Sequence, residues 1–435
     1  MTVRSYVKTV VVGLLALLAA AAAINRIVDP FWYFRDVDVS GFNRVKPEFA
    51  RYERHIKPGI VRRERPEAVI FGNSFAEIGF DPTRPSFTGD GRYRGFNFAM
   101  AGADWNRLYC SVRYALRHTT LRRAVIGLPY WSLNGLFIPD CGPLFADMEP
   151  VPLPTLLLSR DALKASWRTF RKQHRRPTHT AEGLYFFTRF QGGKREKFFG
   201  KEMDEEMGRL NTTKAECSEK LRRAEESGFA ELPRWQAPPK GGIALDGLKD
   251  LLEALARAKV EVKLLAFPMH ALPFETHILC ADPYTRWHGL LAIAALVEDI
   301  NGRTGAGIEL WDFQGTSGYL TEKIRNGNPR FWQDTGHFNY EVGATMLDTM
   351  FHRREGPLPG EAEPFGTRLT PESIPRRFEA FFRYRRDYLA AHPEFHRELA
   401  AWIAPDPESR ARIGKDDSLP VLPPQPESAG SGTPP

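Results

Sequence analysis

The chain has 435 residues, and 42% of them are apolar, which is enough for a substantial buried core. Its net charge is +7, but acidic and basic residues are both plentiful, as on an ordinary protein surface with a basic tilt. The sequence contains no zinc-finger spacing, aromatic RNA-binding signature or helix-turn-helix pattern, which argues against nucleic acid as a partner. An anionic partner, such as an envelope polymer or lipid headgroups, is the alternative interpretation of the basic tilt.

An uninterrupted apolar run extends from Val10 to Ile24 and is bounded by Lys8 and Arg26. It is apolar on every face, which disfavours a buried helix of a soluble protein. The run is shorter than the roughly 20 residues of a spanning helix, but snorkelling of the two flanking cations would extend it. We predict that residues 1–28 form a single-pass anchor in the cytoplasmic membrane, with the rest of the chain outside the cytoplasm. A signal peptide that is cleaved at Ala20-Ala21-Ala22 is the alternative.

Short apolar strands alternate with amphipathic helices through the middle of the chain. Strands are predicted at 68–71, 95–98, 124–128, 260–267 and 308–311, and helices at 105–117, 246–258 and 284–300, with a last helix capped by Asn339. This alternation predicts an α/β fold with a parallel sheet that is covered by helices on both faces. Functional residues of such sheets lie at the carboxyl ends of the strands.

The alternation is interrupted at residues 159–242, which are predicted to form a mainly helical insertion in a main domain at 29–356. The basic cluster of this insertion, from Arg168 to Arg176, is interpreted as a solvated face, with polymer or phosphate binding as the alternative. A helical extension is predicted at 357–404, with one helix between about 375 and 402. Residues 405–435 have the composition of a disordered tail.

The four cysteines are Cys110, Cys141, Cys217 and Cys280, and none pairs with another at metal-ligand spacing. A structural zinc site is therefore not predicted. Export would allow one or two disulfides. Cys110 falls in a helical, apolar stretch, where we interpret it as a small core residue.

Two short motifs carry the candidate chemistry. Phe71-Gly72-Asn73-Ser74 places a serine directly after a buried strand, and glycine and asparagine tolerate the tight turn that lifts it from the sheet. Asp334-Thr335-Gly336-His337 lies just before the last helix, and its spacing lets the carboxylate support the imidazole. A serine needs such a base to become a nucleophile. Ser74, Asp334 and His337 are therefore predicted to be catalytic, although each motif by itself also suits a loop hydroxyl or a helix start.

The order and context of these motifs resemble the SGNH (GDSL-like) hydrolase superfamily over residues 66–351. The resemblance implies a flavodoxin-like three-layer α/β/α sandwich. It also implies that Ser74 is the nucleophile, that His337 is the base and that Asp334 is the acid of the triad. Gly102, in the loop after the second strand, matches the glycine whose N–H group lines the oxyanion hole of the family.

One block departs from the family pattern. The third block of the family carries an asparagine that donates to the oxyanion, but here the third strand ends in Gly127-Leu128-Pro129-Tyr130-Trp131-Ser132. The oxyanion hole would then depend on the N–H groups of Ser74 and Gly102 and on one further donor. Asn106 and Asn134 are the candidates for that donor, with a structural role as the alternative for each.

A finer resemblance, to membrane-anchored members of the superfamily that acylate cell-envelope polymers, rests on three segments: Asp29-Pro30-Phe31-Trp32, Phe267-Pro268-Met269-His270 and Trp311-Asp312-Phe313. His270 would then line the pocket, with a non-catalytic loop histidine as the alternative. Asp312 is expected to brace the end of its strand.

The resemblance implies an extracytoplasmic, serine-dependent acyl- or acetyltransferase or esterase that acts on a cell-envelope glycan. A membrane-bound O-acyltransferase is the expected protein partner, and the chemistry requires neither a metal nor an organic cofactor. Two alternatives remain open. One is a carboxylesterase of small or lipid esters, and the other is a non-catalytic assembly protein of the envelope that retains the fold.

Overall fold

A six-stranded sheet forms the centre of the computed structural model, which describes residues 2–128, 135–186, 193–229, 232–239, 242–325 and 329–404. The strands are β1 (Ala68–Phe71), β2 (Gly95–Asn97), β3 (Arg123–Leu128), β4 (Glu261–Ala266), β5 (Glu309–Asp312) and β6 (Thr367–Leu369). Their order is β2-β1-β3-β4-β5-β6, with β1 to β5 parallel and β6 antiparallel to β5. The order of the five parallel strands is that of flavodoxin-like doubly wound sheets.

Helices connect the strands and extend beyond them at both ends. They are α1 (Val3–Val28), α2 (Phe49–Glu64), α3 (Ser74–Gly79), α4 (Pro85–Thr88), α5 (Trp105–His118), α6 (Gly142–Asp147), α7 (Leu153–Leu158), α8 (Arg160–Arg171), α9 (Gly193–Arg209), α10 (Lys214–Glu226), α11 (Asp246–Arg257), α12 (Ala271–Cys280), α13 (Thr285–Thr304), α14 (Tyr340–Met350), α15 (Ser373–Ala391) and α16 (Pro393–Ile403).

Side chains of the strands β1, β3, β4 and β5 enter two separate cores, one on each face of the sheet. Val69 and Phe71 of β1 pack with residues of α5, α11 and α13 on one face of the sheet. Ala68 and Ile70 pack with residues of α3, α12 and α14 on the other face. Strands that are buried on both faces explain the continuous apolar runs in the sequence, and the result is three layers, with helices on both sides of the sheet.

The five parallel strands and the helices that were predicted between them, which are α5, α11 and α13, agree with the sequence prediction to within a few residues, whereas α2 and α12 were not predicted. Two features at the carboxyl-terminal end differ from it. The segment 357–404, which was predicted to be helical, also contributes the short edge strand β6. The single helix expected between about 375 and 402 is two helices, α15 and α16, that meet at Pro393. Proline lacks an amide N–H and fits the first turn of a helix, so it starts α16 rather than continuing α15.

The insertion is helical in its described parts and contains α8, α9 and α10. All four cysteines form disulfides, Cys110 with Cys141 and Cys217 with Cys280. Cys110 is a buried core residue, as interpreted, but it is also half of a disulfide. Its partner Cys141 lies in a loop 31 residues away, which no local pattern could reveal. The predicted tail at 405–435 lies outside the described residues, and the domain boundaries themselves stay predictions.

The first helix, α1, is long and apolar enough to cross a membrane. It has 26 residues, and its most apolar window has a mean hydropathy of 2.3. A cleaved signal sequence meets the same criterion, so length and composition leave that alternative open. The last turns of α1 contact the folded domain, where Asn25 and Val28 are buried.

Candidate active site

Ser74 is the first residue of α3, in the turn that follows the carboxyl end of β1. Asn73 caps this helix, because its side-chain oxygen accepts a hydrogen bond from the N–H of Phe75 at 3.0 Å. Gly72 allows the turn to approach its neighbours closely. A Cβ atom at position 72 would lie 2.8 Å from that of Ala76, which is too short for two carbon atoms. The Gly-Asn-Ser motif is thus explained by the turn that presents the serine.

A chain of hydrogen bonds joins Ser74, His337 and Asp334. The Oγ atom of Ser74 lies 2.7 Å from Nε2 of His337. The Nδ1 atom of the same ring lies 2.6 Å from Oδ2 of Asp334. Because a carboxylate accepts, Nδ1 carries the proton and Nε2 is free to accept the hydroxyl proton of the serine. This is the tautomer that a general base requires.

The three groups are held by backbone as well as side chains. Asp334 is 1% exposed, and its Oδ1 also accepts the N–H groups of Gly336 at 3.0 Å and His337 at 2.8 Å. Burial raises the pKa of Asp334, but the His337 charge and these hydrogen bonds outweigh it and leave that pKa lowered. For His337 the signs are reversed. Burial lowers its pKa, but the charge and hydrogen bond of Asp334 outweigh burial, so the pKa of His337 is raised.

Gly336, inside the Asp-x-x-His motif, has a steric role. A Cβ atom at this position would lie 2.6 Å from Cζ of Phe75. The Phe75 ring also packs edge-on against the His337 ring, with their centroids 4.6 Å apart. The glycine therefore lets the loop that carries Asp334 and His337 close over the helix that carries Ser74.

The loop after β2 carries Gly102, the predicted oxyanion residue, in a left-handed conformation with φ of 66°. The N–H groups of Ser74 and Gly102 have no hydrogen-bond acceptor in the described ranges. Such free donors are what an oxyanion hole requires. Arg54 braces the loop through a 2.7 Å hydrogen bond from its guanidinium to the carbonyl oxygen of Ala101.

Gly102 and Asn106 line a polar cavity of about 530 Å³ together with the side chains of Arg54, Asp104 and Arg107. Ser74 is not among the residues that line it. The structure thus places Gly102 and Asn106 together but does not assign Asn106 to the oxyanion. Asn134, the other candidate donor, lies outside the described residues.

Two further residues of the predicted site turn out to be buried. His270 has no exposed surface, caps α12 and has its Nε2 atom 2.7 Å from the carbonyl oxygen of Glu322. Burial lowers its pKa to about 4. The backbone N–H of His270 donates to the carbonyl oxygen of Thr335 at 3.0 Å, so it supports the loop that carries Asp334 and His337. Asp312 braces the end of β5 through an ion pair with Arg286 at 2.6 Å, as expected.

Glu202 is a neighbour of the triad that the sequence did not predict. It lies on α9, and its carboxylate accepts the N–H of Thr335 at 3.1 Å and the hydroxyl of Thr335 at 2.8 Å. Burial, followed by the nearby charge of Asp334, raises the pKa of Glu202 to about 7. A lone glutamate in a charged helix gives no local signal, because only the folding of the insertion brings it to the site.

A buried polar cluster lies beneath the site. The Lys57 ammonium donates to the carboxylate of Glu77 on α3 at 2.6 Å and lies 3.4 Å from Glu53. It also donates to the carbonyl oxygen of Ala99 at 2.6 Å, so it joins α3 to the loop that carries Gly102. Glu53, Glu77 and His179 are close enough to share a metal ion. The ammonium already supplies the positive charge there, and it makes a second cation unfavourable.

The fold and these contacts define an α/β protein with a serine–histidine–aspartate site at the carboxyl end of its sheet. Comparison with protein-family models and with curated protein sequences gave no match. The function is therefore inferred from the residues of this chain.

Proposed function

We propose that the chain is a membrane-anchored, extracytoplasmic protein of the SGNH type that transfers or removes an acyl group on a cell-envelope glycan. The observation that carries this proposal is the hydrogen-bonded chain from Ser74 through His337 to Asp334. Free N–H groups of Ser74 and Gly102 support it, and so does α1, which is long enough for an anchor. A membrane-bound O-acyltransferase would be the natural source of the acyl group.

In the proposed reaction, Oγ of Ser74 attacks the carbonyl carbon of an acyl ester and passes its proton to Nε2 of His337. The N–H groups of Ser74 and Gly102 stabilise the oxyanion. The intermediate collapses, the ester C–O bond breaks, and the leaving alkoxide takes the proton from His337. A glycan hydroxyl or water then attacks the acyl-serine and gives its proton to His337, which returns it to Ser74 as the acyl product leaves.

Transfer to a carbohydrate is proposed to outpace hydrolysis. The third block lacks its asparagine, and losing one oxyanion donor slows such reactions roughly 10²–10³-fold. A bound acceptor can offset that handicap, because it raises the effective concentration of its hydroxyl group. The same missing donor favours the second candidate, a non-catalytic envelope assembly protein, whereas the aligned triad favours an enzyme.

The first test is labelling by a serine-reactive fluorophosphonate. Wild-type protein should be labelled, and Ser74→Ala should lose labelling and roughly 10⁴–10⁶-fold in ester turnover while remaining folded. The control variant, Ser227→Ala, changes an exposed serine at the end of α10 and should behave as wild type. Equal labelling of Ser74→Ala would rule out the assignment, and no labelling of the wild type would favour the assembly protein.

The second test separates transfer from hydrolysis. An activated acyl ester is supplied to the full chain with and without envelope glycan, and acylated glycan is quantified against free acid. Transfer predicts acylated glycan as the main product and less free acid when glycan is present. Free acid in unchanged amount would make the protein an esterase, the remaining alternative.

A further inference from the structure

The helices α7 and α8 pack against the last turns of α1, where the anchor joins the folded domain. Asn25 of α1 is fully buried, and its amide donates to the carbonyl oxygen of Leu157 at 2.8 Å. The hydroxyl of Ser166 on α8 donates to the side-chain oxygen of Asn25 at 2.7 Å. These bonds fix the direction of α1 relative to α8, so the anchor is not a loose tether.

A neighbouring face of α8 carries large apolar side chains that the fold leaves open. Leu163, Trp167 and Phe170 follow one another at helical spacing and are 36%, 60% and 49% exposed. Together with Ile24 and Ile27 of α1 they line a shallow apolar cavity of about 410 Å³. These five residues are called the apolar shelf below. An exposed apolar surface of this kind marks an interaction site.

Basic residues border the apolar shelf. Between residues 160 and 176 the chain has seven lysines or arginines and one aspartate. Arg168 and Lys172 pair with Glu48 at 2.9 and 3.7 Å. The other five have no ion-pair partner in the parts of the chain that the structure describes: Arg160, Lys164, Arg171, Arg175 and Arg176. The last three lie at and beyond the carboxyl-terminal end of α8, where they can contact an anionic surface at the edge of the apolar shelf; the Arg171 guanidinium also lies over the Trp167 ring, 5.7 Å from its centroid.

The apolar shelf lies at the height along α1 where a membrane would end. The anchor is exposed from residue 3 to residue 20, and its contact with the domain begins at Ala21. The apolar run from Val10 to Ile24 rises about 22 Å, and snorkelling of Lys8 and Arg26 extends it towards the ~30 Å thickness of the hydrocarbon core, so the core ends near Ile24. Tryptophan and leucine are favoured at the boundary, and cations just outside it contact headgroups.

We propose that the apolar shelf is embedded in the interface of the leaflet on the domain's side, with Arg171, Arg175 and Arg176 on the phosphates of anionic phospholipids. This inference rests on the membrane anchor of the proposed function. The occupant is the bilayer rather than a second copy of the chain. The apolar shelf is continuous with the lipid-facing side of α1, and pairing two copies would bring two strongly basic rims together.

The test reconstitutes the full chain in vesicles of phosphatidylcholine and phosphatidylglycerol with brominated acyl chains, which quench nearby tryptophans. The wild type should show a quenched component that is lost in Trp167→Phe. The control variant Trp235→Phe, whose ring packs against Phe378 with centroids 5.4 Å apart, should keep it. Replacing Arg171, Arg175 and Arg176 by glutamine should weaken the dependence of the quenching on phosphatidylglycerol and on salt.

Alkaline carbonate extraction of the same samples separates this inference from the anchor. Extraction of the wild-type chain would overturn both. A chain that resists extraction but whose Trp167 is unquenched by brominated lipid would overturn the inference and leave the anchor intact. Trp167 shielded from aqueous iodide within a dimer would assign the apolar shelf to a second copy, which also overturns it.

Discussion

Two carboxylates on different elements set the basicity of His337. Burial lowers the pKa of His337, but the charge and hydrogen bond of Asp334, which contacts the ring at 2.6 Å, outweigh it and raise that pKa. Glu202 acts from α9 through its charge, which also raises that pKa. Because the pKa of Glu202 is itself about 7, its carboxylate is partly ionised at neutral pH. Glu202 is thus a positioning residue that couples the insertion to the base.

Glu202→Gln should shift the pH dependence of serine reactivity. Only neutral His337 accepts the serine proton, so the rate of fluorophosphonate labelling falls as the pH drops through the pKa of His337. Removing the Glu202 charge lowers that pKa, so the acid limb should move to lower pH, by about one unit or less. The amide oxygen of glutamine can still accept the hydrogen bonds of Thr335, which preserves the loop.

The control for this variant is Glu205→Gln, one turn along α9 and exposed. It removes a charge from the same helix without touching the site, so its pH profile should match that of the wild type. Identical profiles for Glu202→Gln and the wild type would show that Glu202 only supports the loop. A shift to higher pH would contradict the charge argument.

At the scale of elements, the sequence predicted those parts of the site that are formed by a few consecutive residues. The turn from β1 to α3 and the Asp-x-x-His loop are each made by a few consecutive residues, so their spacing is visible in the sequence. The sequence of α2 contains such a pattern for the buried polar cluster: Glu53 and Lys57 occur on the same face as Ile56 and Ile60, all of them buried. Charged residues on an apolar face indicate a buried ion pair.

Features that depend on distant contacts could not be predicted in the same way. The strand β6 has three residues, too few for alternation to be recognised, and only its pairing with β5 makes it a strand. Glu202 reaches the site because α9 folds back onto the loop at Thr335. The residues of the third block at 129–134 lie outside the described ranges, so the third oxyanion donor stays a prediction.

Gly336→Ala should disturb the contact between the two elements that form the triad. The added methyl group would lie 2.6 Å from the Phe75 ring, so the loop at Asp334 and His337 must move away from α3. Overpacking of this kind costs about 1–3 kcal/mol. Urea unfolding should show the loss of stability, and fluorophosphonate labelling should slow because the bond from Ser74 to His337 lengthens.

Two variants make this expectation specific. Phe75→Leu in the Gly336→Ala background frees space and should restore part of the labelling rate. Gly302→Ala, in α13 with open space around its Cβ position, should leave labelling unchanged and stability equal or slightly higher. Full labelling of Gly336→Ala by itself would show that the loop adapts without cost to the site.

At the scale of the whole molecule, the insertion is joined to the main fold close to the site. Its helix α10 is linked to α12 by the disulfide between Cys217 and Cys280, and Lys220 donates to the carbonyl oxygen of Cys280 at 3.0 Å. Glu206 of α9 pairs with His277 of α12. Since α9 also carries Glu202, these links hold the insertion against the loop that carries Asp334 and His337. Disulfides persist in oxidising compartments, which agrees with a domain outside the cytoplasm.

The last prediction concerns the disulfide that links α10 of the insertion to α12 of the main fold. Replacing both Cys217 and Cys280 by serine opens a link that spans 63 residues, and chain entropy alone makes such a link worth about 4 kcal/mol. We expect a lower urea midpoint and slower fluorophosphonate labelling, because Glu202 is no longer held at Thr335.

The matched control replaces Cys110 and Cys141, whose link spans 31 residues, contributes a similar free energy of unfolding and lies away from α9. It should lose a similar amount of stability while keeping the wild-type rate of fluorophosphonate labelling. Alkylation of unfolded, membrane-extracted protein from its own cell should find no free thiol. Four free thiols in active protein would place the domain in a reducing compartment, contrary to the proposed orientation of α1.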